Sequence, residues 1–192
     1  EGHPPIRCLG EAFKTYIIAE MEGALYFIDK HAAHERILYN RFKQDPHSDA
    51  QQLLAPVTVA LSREEYAALI GEMDTLTAAG FEIEDFGAGT VLVRALPMLL
   101  DGSDVEALLQ EIAGGFVSGR KDIGSDKLDW IYHSSACRAA VKAGDTTRPE
   151  EWQELAQRVL WDQDIRTCPH GRPVCIEFSR HELEKQFGRL GG

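Results

Sequence analysis

Asp29-Lys-His-Ala-Ala-His-Glu-Arg-Ile-Leu-Tyr-Asn40 is the stretch on which the reading of this chain turns. The apolar run Leu25-Tyr-Phe-Ile28 ends in Asp29 and a helix-forming segment starts at once, so a carboxylate stands at a strand end beside His31 and Glu35. Residues four apart share a helix face, and an imidazole and a carboxylate placed so can reach for one metal ion. Taken alone, the stretch favours a simpler account, in which Asp29 is a helix N-cap and His31 and Glu35 are a solvated surface pair. Leu38 and Phe42 continue the same face towards an interior, which counts against a purely solvated pair.

The chain has 192 residues and begins at Glu1, which reads as part of something longer. That length suits one large domain or two small ones with a real core. Hydrophobic residues make up 44% and charged residues 27%, ordinary for a soluble globular protein. No apolar run approaches the roughly 20 residues that span a bilayer, and no signal peptide is visible. A cytoplasmic protein with no membrane partner is the expectation. The net charge of −11 repels a polyanion. If duplex DNA is the substrate, this chain alone should hold it weakly and need a partner. Cys8, Cys137, Cys168 and Cys175 are too few and too scattered for a disulfide scaffold, and a reducing compartment with some metal-binding thiolates fits better.

Residues 1–10, with Pro4, Pro5 and Gly10, read as a linker. Tyr16-Ile-Ile-Ala19 and Leu25-Tyr-Phe-Ile28 flank Glu22-Gly23 as a hairpin, and a helix follows from about Ala32 to Phe42. Gln51-Gln-Leu-Leu-Ala-Pro56 leads into a strand, Val57–Leu61. Ser62-Arg-Glu-Glu65 is a capping box opening a helix that stops near Gly80. Phe81–Phe86 and Thr90–Ala95 form a second hairpin about Gly87-Ala-Gly89, and Asp104 caps a helix over Val105–Phe116. After a glycine-broken loop, helices run from Lys127 to Ala143 and from a Thr147–Glu150 capping box to Trp161. The shaped loop Cys168-Pro-His-Gly-Arg-Pro173 leads to a strand, Val174–Phe178, and a last helix capped by Ser179 with Glu182.

Cys168 and His170 flank a proline on that loop, and thiolate and imidazole pointed at one centre suit zinc. Cys137 alone is more simply a small core residue, and Cys8 and Cys175 are assigned to linker and strand. His133 shares a helix face with Cys137 but reads as a packed or exposed histidine. Together His31, Glu35, Cys137, Cys168 and His170 offer more donors than one tetrahedral zinc takes, which points to two adjacent metal positions. Paired metals about 3.5–4 Å apart are a usual arrangement for phosphodiester cleavage. Asp29 would then be a hard oxygen ligand or orient the attacking water. Arg138 and Arg172, each beside a candidate ligand, could hold the scissile phosphate.

Asp29-Lys-His-Ala-Ala-His-Glu35, Ala136-Cys-Arg138 and Cys168-Pro-His-Gly-Arg-Pro173, in this order, resemble the C-terminal domain of MutL, the DNA mismatch-repair protein, in its nicking-endonuclease branch. The likeness covers nearly the whole chain. The family pattern is Asp-Gln-His-Ala, two residues, Glu, four residues, Glu; here Lys30 replaces the glutamine and Asn40 the last glutamate. The resemblance implies that Asp29 is the residue closest to nicking. It gives His31, Glu35, Cys137, Cys168 and His170 to structural or regulatory Zn2+, with Mn2+ supporting cleavage and Glu35 serving both. It also makes Gln51, Leu53, Leu54 and Pro56 a sliding-clamp-binding motif, with Gln51 as polar anchor and the leucines as apolar plug. A clamp already encircling DNA would answer the charge problem by raising local concentration. A homodimer built on the hairpin and terminal helix, and a mismatch-recognition protein as partner of the full-length chain, are implied likewise.

The expected architecture is a two-lobed α/β (α+β) domain. Residues 1–50 and 125–192 form the dimerisation and metal-site lobe, and 51–124 an inserted clamp-facing lobe. The expected activity is metal-dependent nicking of one strand of duplex DNA. Two other readings stand beside it: a dimerisation scaffold with purely structural zinc, and a monomeric zinc hydrolase acting on small molecules.

Overall fold

A computed structural model describes residues 2–45, 50–97, 100, 105–119, 127–143, 148–169 and 171–189. Packing divides the chain into two units, Glu1–Ile37 with Val141–Gly192, and Leu38–Ala140. Asp104, Thr147 and His170 lie outside the described residues.

In the first unit β1 (Arg7–Ala12), β2 (Tyr16–Met21) and β3 (Ala24–Asp29) form an antiparallel meander, and β7 (Cys175–Ser179) joins beyond β3. Glu22 and Gly23 take φ of 50° and 79°, the paired left-handed conformation of a two-residue hairpin turn. The period-two alternation of β2 and β3 puts Ile17, Ala19, Met21, Ala24, Tyr26 and Ile28 on one buried face. That face belongs to a core shared with Leu155, Ala156, Val159 and Leu160 of α6 (Pro149–Trp161) and with Ala33 and Ile37. The other face carries Ile18, Phe27 and Ile176 in one row and Leu25 and Phe178 in the next. Ile176 is 49% and Phe178 39% exposed, and the Phe27 and Phe178 rings meet edge-on at 5.7 Å.

The linker expected over residues 1–10 is corrected from Arg7 onward, because Arg7–Ala12 is an edge strand. Gly10, read as a breaker, sits at φ 153° where the register with β2 shifts, so its freedom serves a bulge within the strand. Upstream of β1 the chain is tied to α6. The Trp161 indole N–H donates to Pro4 O at 3.1 Å, and the Gln153 amide donates to Ile6 O at 2.9 Å.

The second unit has a three-stranded antiparallel sheet, β4 (Ala50–Ala60), β6 (Thr90–Pro97) and β5 (Glu82–Gly87) in that order. Its core gathers Val59, Val91 and Val93 with Leu69 of α2 (Arg63–Ile70), Leu76 of α3 (Met73–Ala78), Leu108, Leu109 and Ile112 of α4 (Val105–Ser118), and Ile131. Ser62 and Glu65 make the expected capping box, at 3.3 and 2.9 Å. The single helix expected from there to Gly80 is instead two, broken at Gly71, whose N–H closes on Ala67 O. β4 starts seven residues before the expected strand, at Ala50 rather than Val57, because Gln51 and Gln52 already pair with Leu96 and Ala95. Residues 53–56 bulge out before pairing resumes at Val57. α6 begins at Pro149, with the Arg148 N–H bonded to Glu151 at 2.8 Å, one residue later than the Thr147 box predicts. Ser179 and Glu182 cap α7 (Arg180–Gln186) as expected.

Two helices run from one unit into the other, α1 (Lys30–Gln44) and α5 (Lys127–Ala143). Packing divides the chain inside these two helices, between Ile37 and Leu38 and between Ala140 and Val141.

Gly115 on α4 lies where an added methyl would overlap the Trp130 indole, whose N–H donates to Ile112 O at 3.3 Å. Gly115→Ala should therefore lower the unfolding free energy by about 1–3 kcal/mol, the usual cost of overpacking, as read from urea denaturation.

Candidate metal centre

β3 passes into α1 with no intervening loop, and three hydrogen bonds fix the elbow. The Asp29 N–H donates to Val174 O at 2.9 Å, the Lys30 N–H to Thr15 O at 3.0 Å, and the Ala32 N–H to Asp29 Oδ1 at 3.0 Å. Asp29 is thus an N-cap, as the simpler reading of the stretch has it, with one carboxylate oxygen so employed. His31 and Glu35 follow on successive turns of one helix face. They differ sharply in exposure, His31 lying at the surface and Glu35 being only 5% exposed. A buried carboxylate is costly unless a cation or hydrogen bonds offset it, so Glu35 is not the solvated surface partner of the simpler reading.

The elbow is also tied to the loop after α6. Val174, which accepts from Asp29, directly follows the Cys168–Pro173 stretch, and the Arg36 guanidinium donates to Thr167 O at the other end of it. Thr167 and Pro173 pair across the loop base, the Cys168 N–H donates to Arg172 O at 2.7 Å, and the Gly171 N–H returns to Cys168 O at 2.9 Å. Gly171 takes φ 79°, a conformation that favours glycine. Cys168 is 4% exposed and packs in the same core as Ala33 and Ile37 of α1. The first and third sequence motifs therefore meet within one unit. Arg172 is exposed on the loop surface. Burial pushes the Cys8 and Cys175 thiols up, away from the thiolate form that binds metal, in keeping with their exclusion.

Cys137 lies half-buried on α5 in the second unit. Arg138 beside it is held by α4: Nε and Nη2 donate to Glu111 Oε2 at 3.1 and 3.0 Å, and Nη2 to Ala107 O at 3.4 Å. That guanidinium braces two helices instead of standing open for a phosphate. His133 is a packed histidine, its ring 5.9 Å from Tyr39 and 6.4 Å from Trp130. Of the Gln51–Pro56 motif, Gln51, Leu54 and Pro56 are exposed, Leu54 fully so. Leu53 packs against the unit's own core, which leaves Leu54 as the exposed leucine of the motif.

Residues 9–147 match the family described as MutL C terminal dimerisation domain. The chain belongs to that family. It is 35% identical over 190 residues to the DNA mismatch repair protein MutL of Shouchella clausii, covering 97% of this chain and 29% of the relative. To MutL of Clostridium botulinum strain Loch Maree it is 34% identical, covering 96% and 28%. To MutL of Clostridium perfringens strain ATCC 13124 it is 34% identical, covering 97% and 28%. The chain spans less than a third of the length of these curated relatives. It is a MutL C-terminal domain in family, and dimerisation is what that family's description states. Among the described residues, no helix is long and apolar enough to cross a membrane.

Two residues at this elbow escape a sequence reading. Lys30, noted only as a departure from the family pattern, is 5% exposed and its ammonium is paired with the Glu11 carboxylate on β1. Arg36 ties α1 to the Cys168 loop across 131 residues. The one available signal for Lys30 was its place in the first helical turn, inside an apolar pattern.

Because Asp29 caps α1, Asp29→Ala should cost about 1 kcal/mol of stability, whereas Asp29→Asn, an equally good cap, should leave it within a few tenths. Urea unfolding of both variants checks this and qualifies Asp29→Asn as a chemical probe.

Proposed function

We propose that this chain is the metal-dependent endonuclease and homodimerisation domain of a mismatch-repair protein, nicking one strand of duplex DNA. The observation that carries the reading is the elbow that presents Asp29, His31 and Glu35 while hydrogen-bonded to the base of the Cys168 loop. His31, Glu35 and Cys137 offer one imidazole nitrogen, one carboxylate oxygen and one thiol sulfur as ligand atoms. With Cys168 and His170, that donor set suits zinc, and the carboxylate oxygens of Asp29 and Glu35 suit manganese.

A bound metal would lower the pKa of its water and stabilise charge on the leaving oxygen. Asp29 orients the attacking water and takes its proton on the carboxylate oxygen. Glu35 fixes the ligand geometry from a buried position. Arg172, exposed on the loop, neutralises the scissile phosphate.

The outer face of the β1-β2-β3-β7 sheet is the homodimer surface in this reading. Ile18, Phe27, Ile176 and Phe178 make an apolar patch of the kind that marks an interaction site, and Phe187, the residue after α7, is exposed too. Leu54, fully exposed on a bulge and preceded by Gln51, is the plug for a sliding clamp. The clamp supplies the DNA contact that a net charge of −11 denies this chain. A mismatch-recognition protein engages the full-length chain in the cytoplasm.

The decisive experiment is nicking of supercoiled plasmid with Mn2+, with and without loaded clamp. The parent should convert plasmid to open circles, and Asp29→Asn should lose at least about 100-fold in rate with zinc content and mass unchanged. No nicking in either arm would leave a dimerisation scaffold with structural zinc, to which Asn40 in place of the family glutamate already leans.

For the interface, Phe178→Asp should halve the mass seen in sedimentation, because a charge would be buried in the apolar patch. Leu54→Ala should leave that mass unchanged.

A further inference from the structure

We propose that Lys30 and Glu11 are positioning residues for the metal centre. They form a neutralised ion pair under the first turn of α1 that lets cation-binding side chains stand on both sides of a buried ammonium. The proposal rests on the reading of His31 and Glu35 as metal ligands. Lys30 lies between Asp29 and His31 in sequence, and only 6% of its side chain is exposed, against 16% for Glu11. Glu11 stands in register with Ile17, and Ile17 with Ile28, both fully buried, so the carboxylate is the polar end of an otherwise apolar row.

A surface lysine beside a metal site is screened by water and matters little. A buried one is not screened, and its charge opposes any divalent cation bound by its neighbours. Glu11 cancels that charge at its source. It also draws the start of α1 against β1, adding a side-chain anchor to the two backbone bonds at Thr15 and Val174. The aim of Asp29 and His31 then depends on a residue from a strand eighteen positions earlier. Removing one member alone takes away the charge that faces the other at this ion pair.

The test uses four chains: the parent, Glu11→Gln, Lys30→Met and the double variant. Zn2+ affinity is read by competition with a chromogenic chelator, at a temperature where circular dichroism shows each chain folded. Thermal midpoints of the metal-free chains are recorded in parallel. Glu11→Gln should weaken zinc binding about 10- to 100-fold, the range for supporting residues around a metal. Lys30→Met should bind zinc no more weakly than the parent, because a carboxylate then remains without the opposing ammonium. The double variant should return to within about threefold of the parent, a non-additivity expected of groups in contact. Parental affinity in Glu11→Gln with a lowered midpoint would overturn the proposal and leave the pair a structural brace. Equal losses in Glu11→Gln and the double variant would overturn it too. If the parent binds no zinc, or if His31→Ala and Glu35→Gln leave its binding intact, the metal-site reading fails and the proposal with it. Loss in those two variants with none in Glu11→Gln sinks the proposal alone.

Discussion

The hydrogen bond from the Asp29 N–H to Val174 O is the constraint on which the site depends. It closes 145 residues of chain into one junction, where a strand becomes a helix and a glycine-bearing loop becomes a strand. β3 and β7 are neighbours in the sheet, so the bond extends their ladder one step past the last pair. Everything on the first turns of α1 inherits its direction from that step. The Ala32 N–H on Asp29 and the Lys30 N–H on Thr15 complete a cradle made almost wholly of main chain. A cradle of that kind does not rely on long flexible side chains, and in the proposed metal centre it would leave little entropy to lose on binding an ion.

Local patterns carried much of this into the sequence. Asp29 as a cap, the His31–Glu35 spacing, the Glu22-Gly23 turn and the Ser62 and Ser179 boxes all depend on residues within five positions of each other. Each is a short-range steric or hydrogen-bonding rule, legible one residue at a time. What could not be read rests on distant partners. β1 is a strand only because β2 offers it a ladder, and Gly10 within it, with Pro4 and Pro5 just upstream, gives the opposite local signal. Leu53 and Leu54 are identical in sequence, and a register shift in β4 decides which one faces the core. Arg138 has the local appearance of a phosphate ligand until Glu111, on another helix, claims it.

The proposed reading sets acidity beside DNA chemistry, and a division of labour reconciles them. A chain at −11 gains little affinity from phosphate neutralisation overall, and low intrinsic affinity would suit the proposed nuclease, whose cuts must be licensed. In that reading specificity lies in what brings the domain to its substrate and not in the cleavage site itself.

The bulge at Gly10 has a wider consequence. A sheet edge with unpaired N–H and C=O groups invites another strand, and such pairing has no natural end. β1 is kinked where its register slips, and β7 at the opposite edge is only five residues long. Both edges are poor templates, while the face between them is apolar and open. With the outer sheet face as the proposed dimer surface, association would be face to face, a self-complementary contact that closes at two copies and does not propagate into a fibre.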